Sequence, residues 1–155
     1  MSKLEQMSVT AEHVSEGHPD RFCDQVADRI LDKALELAET DEERRSVRTA
    51  VECLAKDRLL IVSGEVGFSK KITSQMDIHQ LAQEVWESVG YGKGDELTVL
   101  NHLRNQSDHI AQGVDIGGAG DQGIMVGYAT NKKVNGTENP QMMPPEWILA
   151  RDICM

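Results

Sequence analysis

Apolar positions along the chain follow two different periods. Phe22, Cys23, Val26, Ala27, Ile30, Ala34, Leu37 and Ala38 recur three or four residues apart, which is the spacing of one helix face. Pro19 stands where a first helical turn accepts proline without losing a hydrogen bond. The spacing predicts a long amphipathic helix from about Pro19 to Ala38. The charged run Glu39 to Arg45 ends it. From Ser46 to Ala55 the period drops to two, with Val47, Thr49, Val51, Cys53 and Ala55 on one face. Lys56-Asp57 reads as a tight turn and Arg58 to Val66 is rich in β formers, so the two segments predict an antiparallel hairpin. A second helix carries Met76, Leu81, Val85 and Val89 and stops at Gly90. A strand from about Leu97 to Leu103 follows, then the polar loop Asn105 to Gly120 and an apolar strand, Ile124 to Thr130. A hairpin, a helix and two further strands around two helices indicate an α+β fold, an antiparallel sheet with two helices packed on one face, rather than a doubly wound parallel sheet.

The C-terminal pattern is different. Asn131 to Pro145 is a polar loop holding three of the four prolines, and Pro145 to Arg151 then starts a helix. Two turns cannot bury Trp147 and Ile148 unaided, because short helices depend on tertiary packing. The expectation is a chain cut short here, or one completed by something else.

Composition narrows the partners. With 155 residues and 39% hydrophobic content the chain can bury a sizeable core, and it has no apolar run long enough to span a membrane. Lys plus Arg total 16 against 26 Asp plus Glu, and the net charge of -10 opposes attraction to nucleic acid or anionic lipid. A small molecule or another protein is the expected partner. Cys23, Cys53 and Cys154 are odd in number, lie far apart and form no CxxC pair, which argues against a disulfide framework and a structural zinc site and for a cytoplasmic setting.

Two segments carry the candidate chemistry. Gly118-x-Gly120-x-x-Gly123 formally matches the dinucleotide-binding fingerprint, but that motif needs a strand before it and a helix after it. Here a loop precedes and an apolar strand follows, so the segment is better read as a loop delivering Asp121 to a ligand. His18-Pro19-Asp20 admits two readings. Proline and aspartate in a first turn are ordinary capping and macrodipole chemistry. The same helix start beside an imidazole is also an anion site, where Asp20 could hold magnesium on a polyphosphate.

The run Ser15-Glu16-Gly17-His18-Pro19-Asp20-Arg21-Phe22-Cys23-Asp24-Gln25-Val26-Ala27-Asp28 resembles the opening signature of S-adenosylmethionine synthetases (methionine adenosyltransferases). Gly120 to Asn131 resembles a second signature of that family. Ser63-Gly64-Glu65, and Gln106-Ser107 followed by Ile110 to Asp115, match further segments in the same order. The resemblance covers roughly Val9 to Arg151, and only the N-terminal portion of a longer, three-domain family. It implies an N-terminal domain at 1–104, an active-site gating loop at 105–120 and the start of a truncated central domain at 121–155.

In that family the sulfur of methionine attacks C5′ of ATP and expels the triphosphate, which is then hydrolysed to diphosphate and phosphate. By matched position the resemblance implies that His18 donates to the leaving oxygen and contacts ATP together with Arg21. It implies that Asp20 ligates magnesium and Glu52, in the first hairpin strand, potassium. It further implies that Glu65 and Gln106 contact methionine and that Asp121 holds its ammonium group. Without the resemblance, Glu52 reads as a solvent-facing strand carboxylate.

Some positions depart from the family pattern. Arg21 stands where the family usually has lysine, Ser107-Asp108-His109-Ile110 replaces a Ser-Pro-Asp-Ile run, Asp115 to Gly120 is shorter, and Lys132 stands where glutamate is common. The cationic residues that grip the triphosphate come from later family segments, and family active sites form between two subunits. Two expectations follow: an incomplete or split enzyme subunit acting in a homo-oligomer or with a complementary C-terminal chain, or a non-catalytic binding or regulatory module.

Overall fold

The computed structural model describes residues 8–106 and 123–155. Asp121 and most of the expected gating loop lie outside the described residues. The chain divides into two compact units, Glu16–Gln122 and Met1–Ser15 with Gly123–Met155.

In the first unit, α1 (Pro19–Leu37) forms where the helical period predicts it and buries Phe22, Val26, Ile30 and Ala34, one residue per turn. A short helix, α2 (Asp41–Ser46), follows. Its start is a capping box, in which Thr40 accepts from the Glu43 amide and the Glu43 carboxylate accepts from the Thr40 amide. The charged run therefore does more than end α1.

Strands β1 (Arg48–Lys56) and β2 (Leu59–Gly67) pair antiparallel from Arg48 opposite Gly67 to Lys56 opposite Leu59. The turn falls at Asp57-Arg58, one residue later than expected, with Asp57 in the left-handed region at φ 54°. Asparagine and aspartate tolerate that conformation better than other residues with side chains. Two helices, α3 (Lys70–Ser74), capped by Ser69, and α4 (Ile78–Ser88), capped by Asp77, lead to β3 (Thr98–Asn105). Gly90, at φ 98°, stops α4 as its position suggests.

The sheet order is β1-β2-β3, and β3 runs parallel to β2. The α+β class and the helix layer hold, but the sheet is mixed rather than wholly antiparallel. A connection through two helices crosses the sheet face and returns the chain in its original direction, as parallel pairing requires.

Helices α1 and α4 cover one face. Phe22, Val26, Ile30, Leu60, Val62, Leu81, Ala82 and Leu97 are all buried between them and the sheet. Each large side chain there contributes about 1.5 to 3 kcal/mol. Cys23 and Cys53 pack at the edge of this core. Burial pushes the Cys53 thiol up to about 12 and raises that of Cys23 as well, so neither is a ready nucleophile at neutral pH.

The second unit contains α5 (Pro145–Cys154). Its helix buries Ile148, and Trp147 meets the ring of His13 edge-on at 5.4 Å, so the N-terminal segment supplies part of the packing that two turns lack. The Asn135-Gly136 pair, with φ 49° and 81°, closes a small turn bridged by Val134 and Thr137. The strand expected at Ile124 to Thr130 is absent. Ile124, Met125 and Val126 are exposed and the segment has no strand partner among the described residues, and an apolar run becomes a strand only beside a neighbour. No described helix is long and apolar enough to cross a membrane.

Candidate active site

The sequence-derived residues of the first unit fall into two groups. One lies at the start of α1. His18 is the helix N-cap, and its Nδ1 accepts from the Asp20 amide at 3.2 Å. An imidazole that accepts at Nδ1 carries its proton at Nε2, which leaves that N–H facing outward as a donor.

The loop before the helix is held in place by side chains from elsewhere. The Tyr91 hydroxyl donates to the Gly17 carbonyl at 2.7 Å, and Gln25 Nε2 donates to the Glu16 carbonyl at 3.2 Å. Tyr91 is stacked on Trp86 at 3.9 Å, and Trp86 in turn meets Phe22 edge-on at 5.5 Å. A rigid aromatic column thus connects the core to His18. Tyr91 was not legible as a site residue, because a tyrosine just after a helix-ending glycine has no local signal of a contact with residue 17.

Arg21 reaches Glu16 at 3.5 Å and is half exposed, so its guanidinium is partly engaged. Asp20 is the one acidic residue of the first helical turn, and its side chain is 90% exposed. No three His, Cys, Asp or Glu side chains gather into a ligand cluster among the described residues. A single exposed carboxylate at this place fits magnesium carried on a polyphosphate, since that ion keeps most of its shell as water and phosphate oxygens.

The second group lies on the sheet face that the helices leave open. Val51, Cys53, Ala55, Leu60 and Val62 point into the helix layer, so alternation sends Ala50, Glu52, Ser63 and Glu65 to the other side. Glu52 stands opposite Ser63, which pairs with His102, and Ala50 stands opposite Glu65, which pairs with Arg104. Glu52 and Ser63 together offer oxygen donors of the hard type that potassium takes, although they alone would not fill its shell. Gln106 follows β3 directly, and its amide donates to the Val66 carbonyl at 2.9 Å.

The two groups do not meet within one chain. Gly17 and Pro19 border the same cleft of about 400 Å³ as Lys56, Asp57 and Arg58, which places the His18 end beside the hairpin turn. Glu65 lies at the far end of β2 and on the opposite sheet face. Strand rise alone separates Glu65 from the turn by roughly 20 Å.

The family model for the S-adenosylmethionine synthetase N-terminal domain matches residues 6–108. The chain belongs to the S-adenosylmethionine synthetase family. Among the chain's curated relatives, the S-adenosylmethionine synthase of Paracoccus denitrificans (strain Pd 1222) is 41% identical over 142 residues, covering 87% of this chain and 34% of the relative. That of Petrotoga mobilis (strain DSM 10674 / SJ95) is 37% identical over 150 residues, covering 83% and 36%. The chain therefore spans about a third of the length of the synthetases it matches. Both groups of site residues in the first unit lie within the matched synthetase domain.

Proposed function

We propose that this chain is the N-terminal part of a methionine adenosyltransferase and contributes two half-sites to an assembled enzyme, an ATP half at the start of α1 and a methionine half on the open sheet face. The observation that carries the reading is the separation of the two groups. His18 and Asp20 suit a polyphosphate, Glu65 and Gln106 suit an ammonium group, and a substrate pair in contact cannot span both within one copy. A second copy brings the opposite half into reach, and a complementary C-terminal chain supplies the cations that the triphosphate needs.

The chemistry asks for alignment and charge stabilisation more than for a strong base. The methionine sulfur forms a bond to C5′ of ATP while the C5′–O bond breaks and its electron pair leaves on the triphosphate. The outward Nε2–H of His18 donates to that leaving group, and the α1 amides add the positive end of the helix dipole. Arg21 contributes a further cation once ATP competes with Glu16. Glu65 and Gln106 orient methionine, and Asp121 is its further ammonium partner. Asp20 would hold magnesium and Glu52 potassium, and such ions would supply charge neutralisation for the triphosphate.

A triphosphate carries about four negative charges, and on a chain of net charge -10 the described cations around the start of α1 are already engaged, Arg21 with Glu16, Lys56 with Asp57 and Arg58 with Asp95. One copy alone should bind ATP weakly.

Asp20→Asn is expected to abolish the magnesium dependence of ATP binding in the assembled enzyme while leaving the thermal midpoint close to that of the parent, because an exposed first-turn carboxylate contributes little to the fold. Titrating nucleotide with and without magnesium checks this. A variant that retains full magnesium dependence removes Asp20 from the metal role.

A further inference from the structure

We infer that Arg104 is the carboxylate-recognising residue of the methionine half-site, forming with Glu65 a paired clamp for the two charges of an amino-acid zwitterion. The inference rests on the methionine reading of the open sheet face.

Glu65 and Arg104 are direct partners in the β2–β3 register. Adjacent strands lie about 4.8 Å apart, so the carboxylate and guanidinium rise side by side from the same surface. Leu103 packs toward the core and Arg104 is exposed, which sends Arg104 to the open face with Glu65. Neither side chain makes an ion pair or a side-chain hydrogen bond among the described residues. Two opposite charges that stand together without engaging each other are available to a ligand carrying the complementary pair.

The floor between them is low. Ala50 is the β1 partner of Glu65, and Gly67, two residues on from Glu65 on the same face, has no side chain. A Cβ built on Gly67 would lie 3.1 Å from Cβ of Arg48, its β1 partner, and 3.7 Å from Gln106 Oε1, so the Arg48 stem and the Gln106 carboxamide border the glycine and bound the floor at that end. An α-amino acid lying on this floor meets Glu65 and Gln106 Oε1 with its ammonium and Arg104 with its carboxylate. The planar guanidinium suits bidentate recognition of that carboxylate.

The test uses the chain assembled with a complementary C-terminal synthetase fragment, and compares L-methionine with L-methioninol, which lacks the carboxylate. Arg104→Gln is expected to raise the methionine KM about 10- to 100-fold, the worth of one charged contact. The KM for ATP and the thermal midpoint should stay close to the parent values. The preference for L-methionine over L-methioninol as a competing ligand should collapse by the same factor, and Arg104→Lys should restore part of it. An unchanged methionine KM with normal turnover, or an equal loss for both ligands, overturns the role of Arg104 while leaving the enzyme reading intact. An unsubstituted assembly that forms no S-adenosylmethionine overturns both.

Discussion

Gly64→Ala should cost the first unit about 3 kcal/mol or more, a large share of the 5 to 15 kcal/mol that usually holds a domain together. Two effects add at this position. The backbone sits at φ +117°, a region that residues with a Cβ rarely adopt. An alanine Cβ would also lie 2.0 Å from the carbonyl oxygen of Ala50, which is backbone in the paired strand and cannot swing aside. Relief requires β1 and β2 to separate at the point where Ser63 and Glu65 face outward. Gly94→Ala is the control, since Gly94 has φ +91° but nothing within 4 Å of the added carbon. It should lose only about 1 kcal/mol, the conformational part alone. Urea unfolding followed by the fluorescence of buried Trp86 separates the two variants, and a Gly64→Ala loss no larger than that of Gly94→Ala would show that the strands relax around the new carbon.

The second large effect concerns His18 and is catalytic. Asparagine is among the best N-cap residues, and its carboxamide oxygen can accept from the Asp20 amide as His18 Nδ1 does at 3.2 Å. His18→Asn therefore keeps the helix start and removes the outward Nε2–H. In the assembled enzyme kcat should fall about 10²- to 10³-fold, the usual loss when one donor to a developing negative charge is deleted. Stability should change by less than about 1 kcal/mol. His18→Ala should show the same kinetic loss with an added loss of stability. Single-turnover formation of S-adenosylmethionine measures the kinetic effect, and a His18→Asn rate within about threefold of the parent would place the donor elsewhere.

Local periodicity made α1 and the hairpin legible, because one buried face dominates each: Phe22, Val26, Ile30 and Ala34 in the helix, Val51, Cys53 and Ala55 in the strand. Helix α2 carried its signal in plain form, Thr40 followed by Glu43, but a run of charges masks a capping box when apolar spacing alone is read. The parallel pairing of β3 depends on where the chain travels between Gly67 and Thr98, not on the residues of β3 themselves. Ile124 to Thr130 shows the reverse failure, for strand-forming side chains specify a strand only when another strand is at hand to take their backbone hydrogen bonds. The candidate site was legible by motif and not by geometry. His18, Asp20, Glu65 and Gln106 stand out in sequence, yet their division between two ends and two faces of the sheet depends on register. Arg104 acquires meaning only through its pairing with Glu65.

Formation of S-adenosylmethionine from ATP and L-methionine, with magnesium and potassium, by the purified chain alone and then by the chain combined with a complementary C-terminal synthetase fragment, is the most direct test of a divided active site. The account predicts no detectable product from the chain alone, because paired copies join the half-sites but still lack the cations that grip the triphosphate, and sustained turnover from the combination. Robust turnover by the chain alone would contradict the need for a complementary chain, and a co-purifying combination that makes no product would point instead to a binding module without catalysis.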